Sequence, residues 1–380
     1  MKDWNDAYKA GVDIRALADG APMFKPNGSA KTPENARSLE LILRCAKDIK
    51  PQQIEWLWEG RLARGKHTAI AGEPGLGKSQ AGIDIAATIT RGKAWPNGEG
   101  TASKGRVVIL SAEDDAADTI VPRLIAAGAD LDQVEILQAI RQDNIHRPFS
   151  LQTDLCLLEE KLRALGDVRL IEIDPISAYF GGSKKADSHN DVDVRTVLAP
   201  VTDMANRLDV AILSIQHFNK SSGGIHAKAL HKFMGSIAFV AGPRMAFAIV
   251  EDSDNALRRL FLHVKNNLAP PPPGLAFQIE QAALVDYGMS ASRIAWEAGT
   301  VNITADEAIS AVRSKDVAPA LEEAKQFLAN LVGQESMSAK QIEKEAKEAG
   351  LSWATVRRAK DELGYKSVKA GLDDGWVWKR

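Results

Sequence analysis

Cysteine is nearly missing from this 380-residue chain: Cys45 and Cys156 are the only two, and they lie far apart. Two isolated thiols build no disulfide framework and supply no paired metal-ligand spacing, which fits a reducing compartment. A charge excess is missing too. The 48 Lys and Arg against 50 Asp and Glu leave a formal net charge of -2. No global basic field draws the chain to nucleic acid, so any such surface must be local. No apolar run is long enough to span a bilayer, and no membrane partner is expected. Residues 1–10 are polar and carry no apolar signal-peptide core, so the expected compartment is the cytoplasm. No internal repeat is visible. What is present, 45% hydrophobic and 26% charged residues, is a globular composition. The length suffices for one large domain and a small one.

Residues 1–50 read as an N-terminal extension or linker. Pro22, Pro26, Gly28 and Ser29 give a loop composition, and a short helix is predicted over 38–47. The opening Lys2-Asp3-Trp4-Asn5-Asp6 resembles the end of a Toprim-type primase domain, and that resemblance implies a primase as a partner. Over 51–300, β-branched runs at 67–71, 106–111, 169–174, 210–216, 245–250, 260–264 and 275–279 alternate with helical stretches at 78–90, 116–127, 154–165 and 193–208. Such alternation predicts an α/β fold with a mostly parallel central sheet and helices on both faces. The last three runs follow one another closely and predict an antiparallel extension at one edge, with Pro270 to Pro273 as a stiff turn.

Residues 301–317 read as a polar, helix-prone linker, and 318–380 as a separate unit. There, a helix over 338–346 is capped by Ser338, Gly350-Leu351-Ser352 turns the chain, and a second helix covers 353–363. A hairpin turning at 371–375 follows. Helix, turn, helix and hairpin make a winged helix. Arg357 and Arg358 give its second helix a basic face suited to DNA, while docking to protein is the competing use.

The strongest motif is Gly72-Glu73-Pro74-Gly75-Leu76-Gly77-Lys78-Ser79, which matches the phosphate-binding P-loop in full. It follows an apolar strand and opens a helix, so backbone N–H groups and the helix N-terminus, with Gln80 next in line, face an anion. ATP with Mg²⁺ is the expected ligand pair: Lys78 for the β- and γ-phosphates, Ser79 for the metal. The strand at 169–174 ends in Asp174, placed to hold Mg²⁺ as a Walker B acid. Glu172 shares its face but lies further from the strand end. A second strand ends in Glu113-Asp114-Asp115, acids that serve either to orient water or to cap the next helix. The strand at 211–217 ends in Gln216 and His217, either a γ-phosphate sensor or a packed edge histidine.

Chain order, spacing and the Ala112-Glu113-Asp114 ending resemble the RecA/DnaB-like ATPases. The resemblance runs from about Ile54 to the C-terminus and points to the plasmid RepA-type hexameric replicative helicases, an AAA family ATPase group with a RecA-like core. It implies Glu113 as the catalytic carboxylate. It also implies mobile DNA-contacting loops carrying Lys220, Lys228 and Lys232, with Lys184 and Lys185 in a second loop. Arg244 resembles the arginine finger of those hexamers in position. Lys265 resembles the basic position of the RecA Lys-Asn segment that reaches across a subunit interface. The implied function is a ring-shaped DNA helicase or translocase on single-stranded DNA. The alternative is a DNA-bound ATPase switch, a replication regulator or loader that does not translocate.

Overall fold

The structure, a computed structural model, describes residues 43–142, 145–181, 190–218, 229, 238–332, 336–369 and 376–379. The chain divides into a short unit, Met1–Gln52, and a large one, Gln53–Arg380. The described part of the short unit holds one 3-10 turn, Ala46–Asp48. Most of the helix predicted over 38–47 lies outside the described residues.

In the large unit, nine strands form one sheet: β1 (His67–Gly72), β2 (Arg106–Ser111), β3 (Val134–Ile136), β4 (Val168–Asp174), β5 (Ala211–His217), β6 (Met245–Asp252), β7 (Asn255–Asn266), β8 (Leu275–Leu284) and β9 (Met289–Trp296). Their order is β9-β8-β7-β6-β1-β5-β4-β2-β3. From β6 to β3 every pairing is parallel. β7, β8 and β9 add on antiparallel. All six residues of β1 are buried, as a parallel strand covered on both faces requires.

Side chains alternate across each strand, which splits the core by face. On one face Ile70, Val107, Ile109, Leu170 and Leu213 pack with helix α1 (Lys78–Arg91) and with Leu124 of α2 (Val121–Ala126). On the other, Val108, Leu110, Ile171 and Ile212 meet α3 (Leu155–Leu165) and α4 (Asp191–Leu208). Further along this second face, Ala69, Ala71, Ala246 and Ala248 are small enough to admit Ala305, Ala308 and Ile309 of α6 (Ala305–Leu331); the short α5 spans Ala238–Ala241.

The antiparallel edge carries a feature absent from the sequence reading. Gly72 is level with Ile249, Ile249 with Phe261, and Phe261 with Leu275. β8 therefore starts where β1 ends and runs on past it. β7 pairs only with Leu275 to Gln278 of β8, whereas β9 pairs with Phe277 to Leu284. The two strands thus continue as an arm beyond the end of β1, the end that bears the phosphate loop. The arm covers α1, which is why α1 is buried almost all round.

α6 starts with a reciprocal cap between Thr304 and Glu307 and runs unbroken to Leu331, through the position where the sequence suggests a linker boundary. Beyond it lie α7 (Ala339–Glu348), α8 (Trp353–Glu362) and a small antiparallel sheet of β10 (Met337–Ser338), β12 (Trp376–Lys379) and β11 (Lys366–Lys369), in that order. Leu328 of α6 shares their core with Ile342, Val356, Tyr365 and Trp378, and Trp353 stacks on Trp378 at 5.0 Å.

Candidate functional site

β1 hands the chain to the phosphate loop at Gly72. A Cβ there would collide with the carbonyl oxygen of Ile249 on β6, so a larger residue would separate the two paired strands. At the far end Gly77 caps α1 at φ 84, left-handed backbone that favours glycine. The first helical bond runs from Ala81 N–H to the Gly77 carbonyl at 2.9 Å. The N–H groups of the turn before it lack helical partners and are available to an anion. Lys78 is buried, and its Nζ donates to the Glu73 carbonyl at 2.8 Å. Burial lowers its pKa, opposed by Asp174, Glu113 and Glu73. Leu76 faces the core instead of the cleft.

The cleft holds about 320 Å³. Pro74, Gly75, Gly77, Lys78, Ser79 and Gln80 form its floor; Glu113, Asp114, Arg123 and His217 stand opposite; Ile279 and Ser292 close it from the arm. The three consecutive acids divide into three roles. Asp115 caps the turn Ala116–Ile120, accepting from Ala117 N–H at 2.7 Å. Asp114 pairs with Arg123 at 2.8 Å. Glu113 keeps a side chain that is 58% exposed and faces the cleft. His217 Nε2 stands 3.6 Å from Glu113 Oε1. Gln216 alternates to the opposite face, where its amide nitrogen is buried without a partner, so the two residues of the expected sensor pair look to different sides of the sheet.

Asp174 lies at the end of β4, with β5 between it and β1. It is buried and accepts a hydrogen bond from Ser79. Burial pushes its pKa up to about 6; Glu113 and Asp114 add to this, while Ser79 and Lys78 oppose it. Carboxylates crowded in this way gain from a divalent cation. Among the described residues no group of three or more metal-ligating side chains forms. One carboxylate and one hydroxyl nevertheless suit Mg²⁺, which takes one or two protein ligands and completes its shell with phosphate and water.

Two residues back along β4, Glu172 is buried against Gly82 of α1, and its Oε2 has no partner among the described residues. Burial above all, then Asp174 and Asp114, hold its carboxyl well above the ordinary 4.5. The folded chain keeps this proton where the unfolded chain releases it, so the fold loses stability as pH rises above the ordinary value. Glu172→Gln removes that ionisation at constant shape. It is expected to raise the melting temperature by roughly a few degrees at pH 8, the gap closing toward pH 4.5; melts at both pH values check this.

A family model described as an AAA domain matches residues 32–223, half of the chain, and the match contains the phosphate loop, Glu113, Asp174 and His217. The chain belongs to this AAA family. No curated protein matches it. As a member it is a nucleotide-hydrolysing P-loop ATPase. Among the described residues, no helix of the AAA ATPase is long and apolar enough to cross a membrane.

The remaining sequence-predicted residues lie elsewhere on the AAA ATPase. Arg244 precedes β6 and its N–H donates to the carbonyl of His67, the first residue of β1. Lys265, on β7, pairs with Ala246 of β6. Both stand at the strand ends opposite the phosphate loop, too far to serve their own cleft. Arg244 is exposed, with no side-chain partner among the described residues. Lys265 Nζ donates to the carbonyls of Val240, Ala241 and Pro243 at 3.0, 2.8 and 2.7 Å, which engages all three of its protons at the end of α5. Arg357 is exposed on α8 and Arg358 half-buried. Lys184, Lys185, Lys220, Lys228 and Lys232 lie outside the described residues. Sequence reasoning missed Arg123, Ile279 and Ser292, which have no motif around them.

Proposed function

We propose that this AAA ATPase is an ATP-driven DNA helicase or translocase of plasmid, phage or mobile-element replication, working as a hexameric ring whose nucleotide sites are completed between subunits. The observation that carries this reading is the position of Arg244. Phosphoryl transfer calls for a cation on the γ-phosphate beyond the phosphate-loop lysine. In the cleft the only other cation among the described residues, Arg123, is tied to Asp114. Arg244 is exposed and stands at the far end of the strands, where it can serve a neighbour's site but not its own. A closed ring supplies such a neighbour to every subunit. Lys265, held by three carbonyls, is the weaker candidate for that role.

Within one subunit, Lys78 and the N–H groups from Gly75 to Gln80 bind the phosphates. Ser79 and Asp174 hold Mg²⁺, which when bound neutralises phosphate charge. Glu113 orients the attacking water and takes its proton. His217, beside Glu113, senses the γ-phosphate and passes its presence to the segment that follows β5. Lys220, Lys228 and Lys232 of that segment, with Lys184 and Lys185, contact the backbone of single-stranded DNA. Residues 318–380 act as a winged helix whose Arg357 and Arg358 meet DNA. Residues 1–50 are the attachment for a primase.

ATP hydrolysis with and without single-stranded DNA, measured on wild type and Arg244→Ala with the mass recorded, tests the proposal. Strong stimulation in a hexamer-sized species is expected, and Arg244→Ala should lose most of it without loss of assembly. Flat hydrolysis by a monomer, indifferent to the substitution, would leave a DNA-bound ATPase switch instead.

A further inference from the structure

The β8–β9 arm meets the phosphate-loop helix at three points. A Cβ on Gly77 would lie 2.7 Å from Ile279 Cδ1, so Ile279 sits directly on the loop. Ser292 Oγ donates to Gln80 Oε1 at 2.7 Å. Trp296 Nε1 donates to Asp84 Oδ2 at 2.8 Å and anchors the arm's base. Gln80 is 4% exposed, and its amide nitrogen has no partner. A buried donor left open is costly unless a ligand meets it.

Gln80, Ile279 and Ser292 all line the cleft, and none is charged. Phosphates call for N–H donors and cations, and these are gathered in the loop and at Lys78. The arm brings an apolar surface and a hydroxyl to the cleft, and beside it α1 brings the buried, unpartnered amide of Gln80. That chemistry suits the uncharged half of a nucleotide: an apolar contact for a flat ring, a donor for a ring nitrogen or a sugar oxygen.

We propose that the arm is the nucleoside wall of the site: Ile279 packs on the purine, and Gln80 donates to the base or ribose of a purine nucleoside triphosphate. Ser292 is a positioning residue that acts through Gln80, fixing its carbonyl so that the amide nitrogen faces the ligand. This rests on the phosphate loop binding a nucleotide as proposed above.

The test compares calorimetric binding of a non-hydrolysable ATP analogue and of inorganic triphosphate, both with Mg²⁺, to the full chain as wild type, Gln80→Ala, Ser292→Ala and Ser292→Thr. Gln80→Ala and Ser292→Ala are expected to weaken the ATP analogue about tenfold, one hydrogen bond's worth, and to leave triphosphate unchanged. In steady-state hydrolysis Ser292→Ala raises KM with kcat held, and Ser292→Thr, which keeps the hydroxyl, restores KM. Equal weakening of both ligands overturns the proposal, because the pair then serves the phosphates or the fold. Unchanged ATP binding overturns it as well. A wild type that binds neither ligand overturns the nucleotide reading itself, a result distinct from either.

Discussion

Glu113→Gln is expected to lower ATP hydrolysis about a thousandfold while leaving nucleotide binding intact. The three acids at the end of β2 are adjacent in sequence, yet two already have partners. Asp115 caps the following turn, and Asp114 holds Arg123. Glu113 alone keeps an exposed carboxylate in the cleft, with His217 3.6 Å away. Glutamine preserves its size and its approach to His217 but cannot take a proton from water. In the proposed reading binding rests on the phosphate-loop N–H groups and Lys78, which the substitution leaves in place. Hydrolysis rates paired with binding of a fluorescent ATP analogue check both halves. A glutamine variant that turns over at the wild-type rate would move the base elsewhere. Asp114→Asn makes the contrast, since its effect should pass through Arg123 and appear in binding as well as rate.

The second large effect belongs to Gly72. Gly72→Ala is expected to lower the melting temperature by about 5 °C and to abolish measurable ATP binding. The clash is with the Ile249 carbonyl, a backbone group paired in register with Gly72, so no side-chain rotation relieves it. Relief requires β6 to move away from β1 or the loop to shift. The same Cβ would stand 3.5 Å from Lys78 Cδ, so a shifted loop also displaces the lysine proposed to bind phosphate. A melt and a nucleotide titration on the same preparation separate the two consequences. Wild-type values in both would show that the strands yield at little cost.

The readable parts of this protein are those whose signal is local. The phosphate loop is a run of consecutive residues bracketed by a strand and a helix, so its chemistry and its context appear in one window. The strands that carry acids at their ends announce themselves by β-branched runs, and the parallel order follows from their alternation with helices. The arm has no such signal. β9 reads Met-Ser-Ala-Ser-Arg-Ile-Ala-Trp, where small and polar residues dilute the two-residue period, and only Ala291 and Ile294 are buried. Its contact with the loop helix joins Ser292 to Gln80 across 212 residues, a distance no local pattern spans. The acids at 113–115 were visible as a group, but their division of roles depends on Arg123 from the next helix. Arg244 and Lys265 look alike in sequence and differ in structure because only the Lys265 side chain reaches the carbonyls at the end of α5.

α6 belongs to two cores at once. Ala305, Ala308 and Ile309 pack on the ATPase sheet, while Ala324 and Leu328 pack under α7 and α8. At 1.5 Å per residue its 27 residues make a rod of about 40 Å. A rod of this kind fixes angle as well as distance. Each residue added or removed between Ile309 and Ala324 would turn the terminal unit by about 100° around the helix axis while moving it only about 1.5 Å along it. Only a change of whole turns would keep both cores aligned, so the helix is a phase gauge between the site that hydrolyses nucleotide and the unit at its far end.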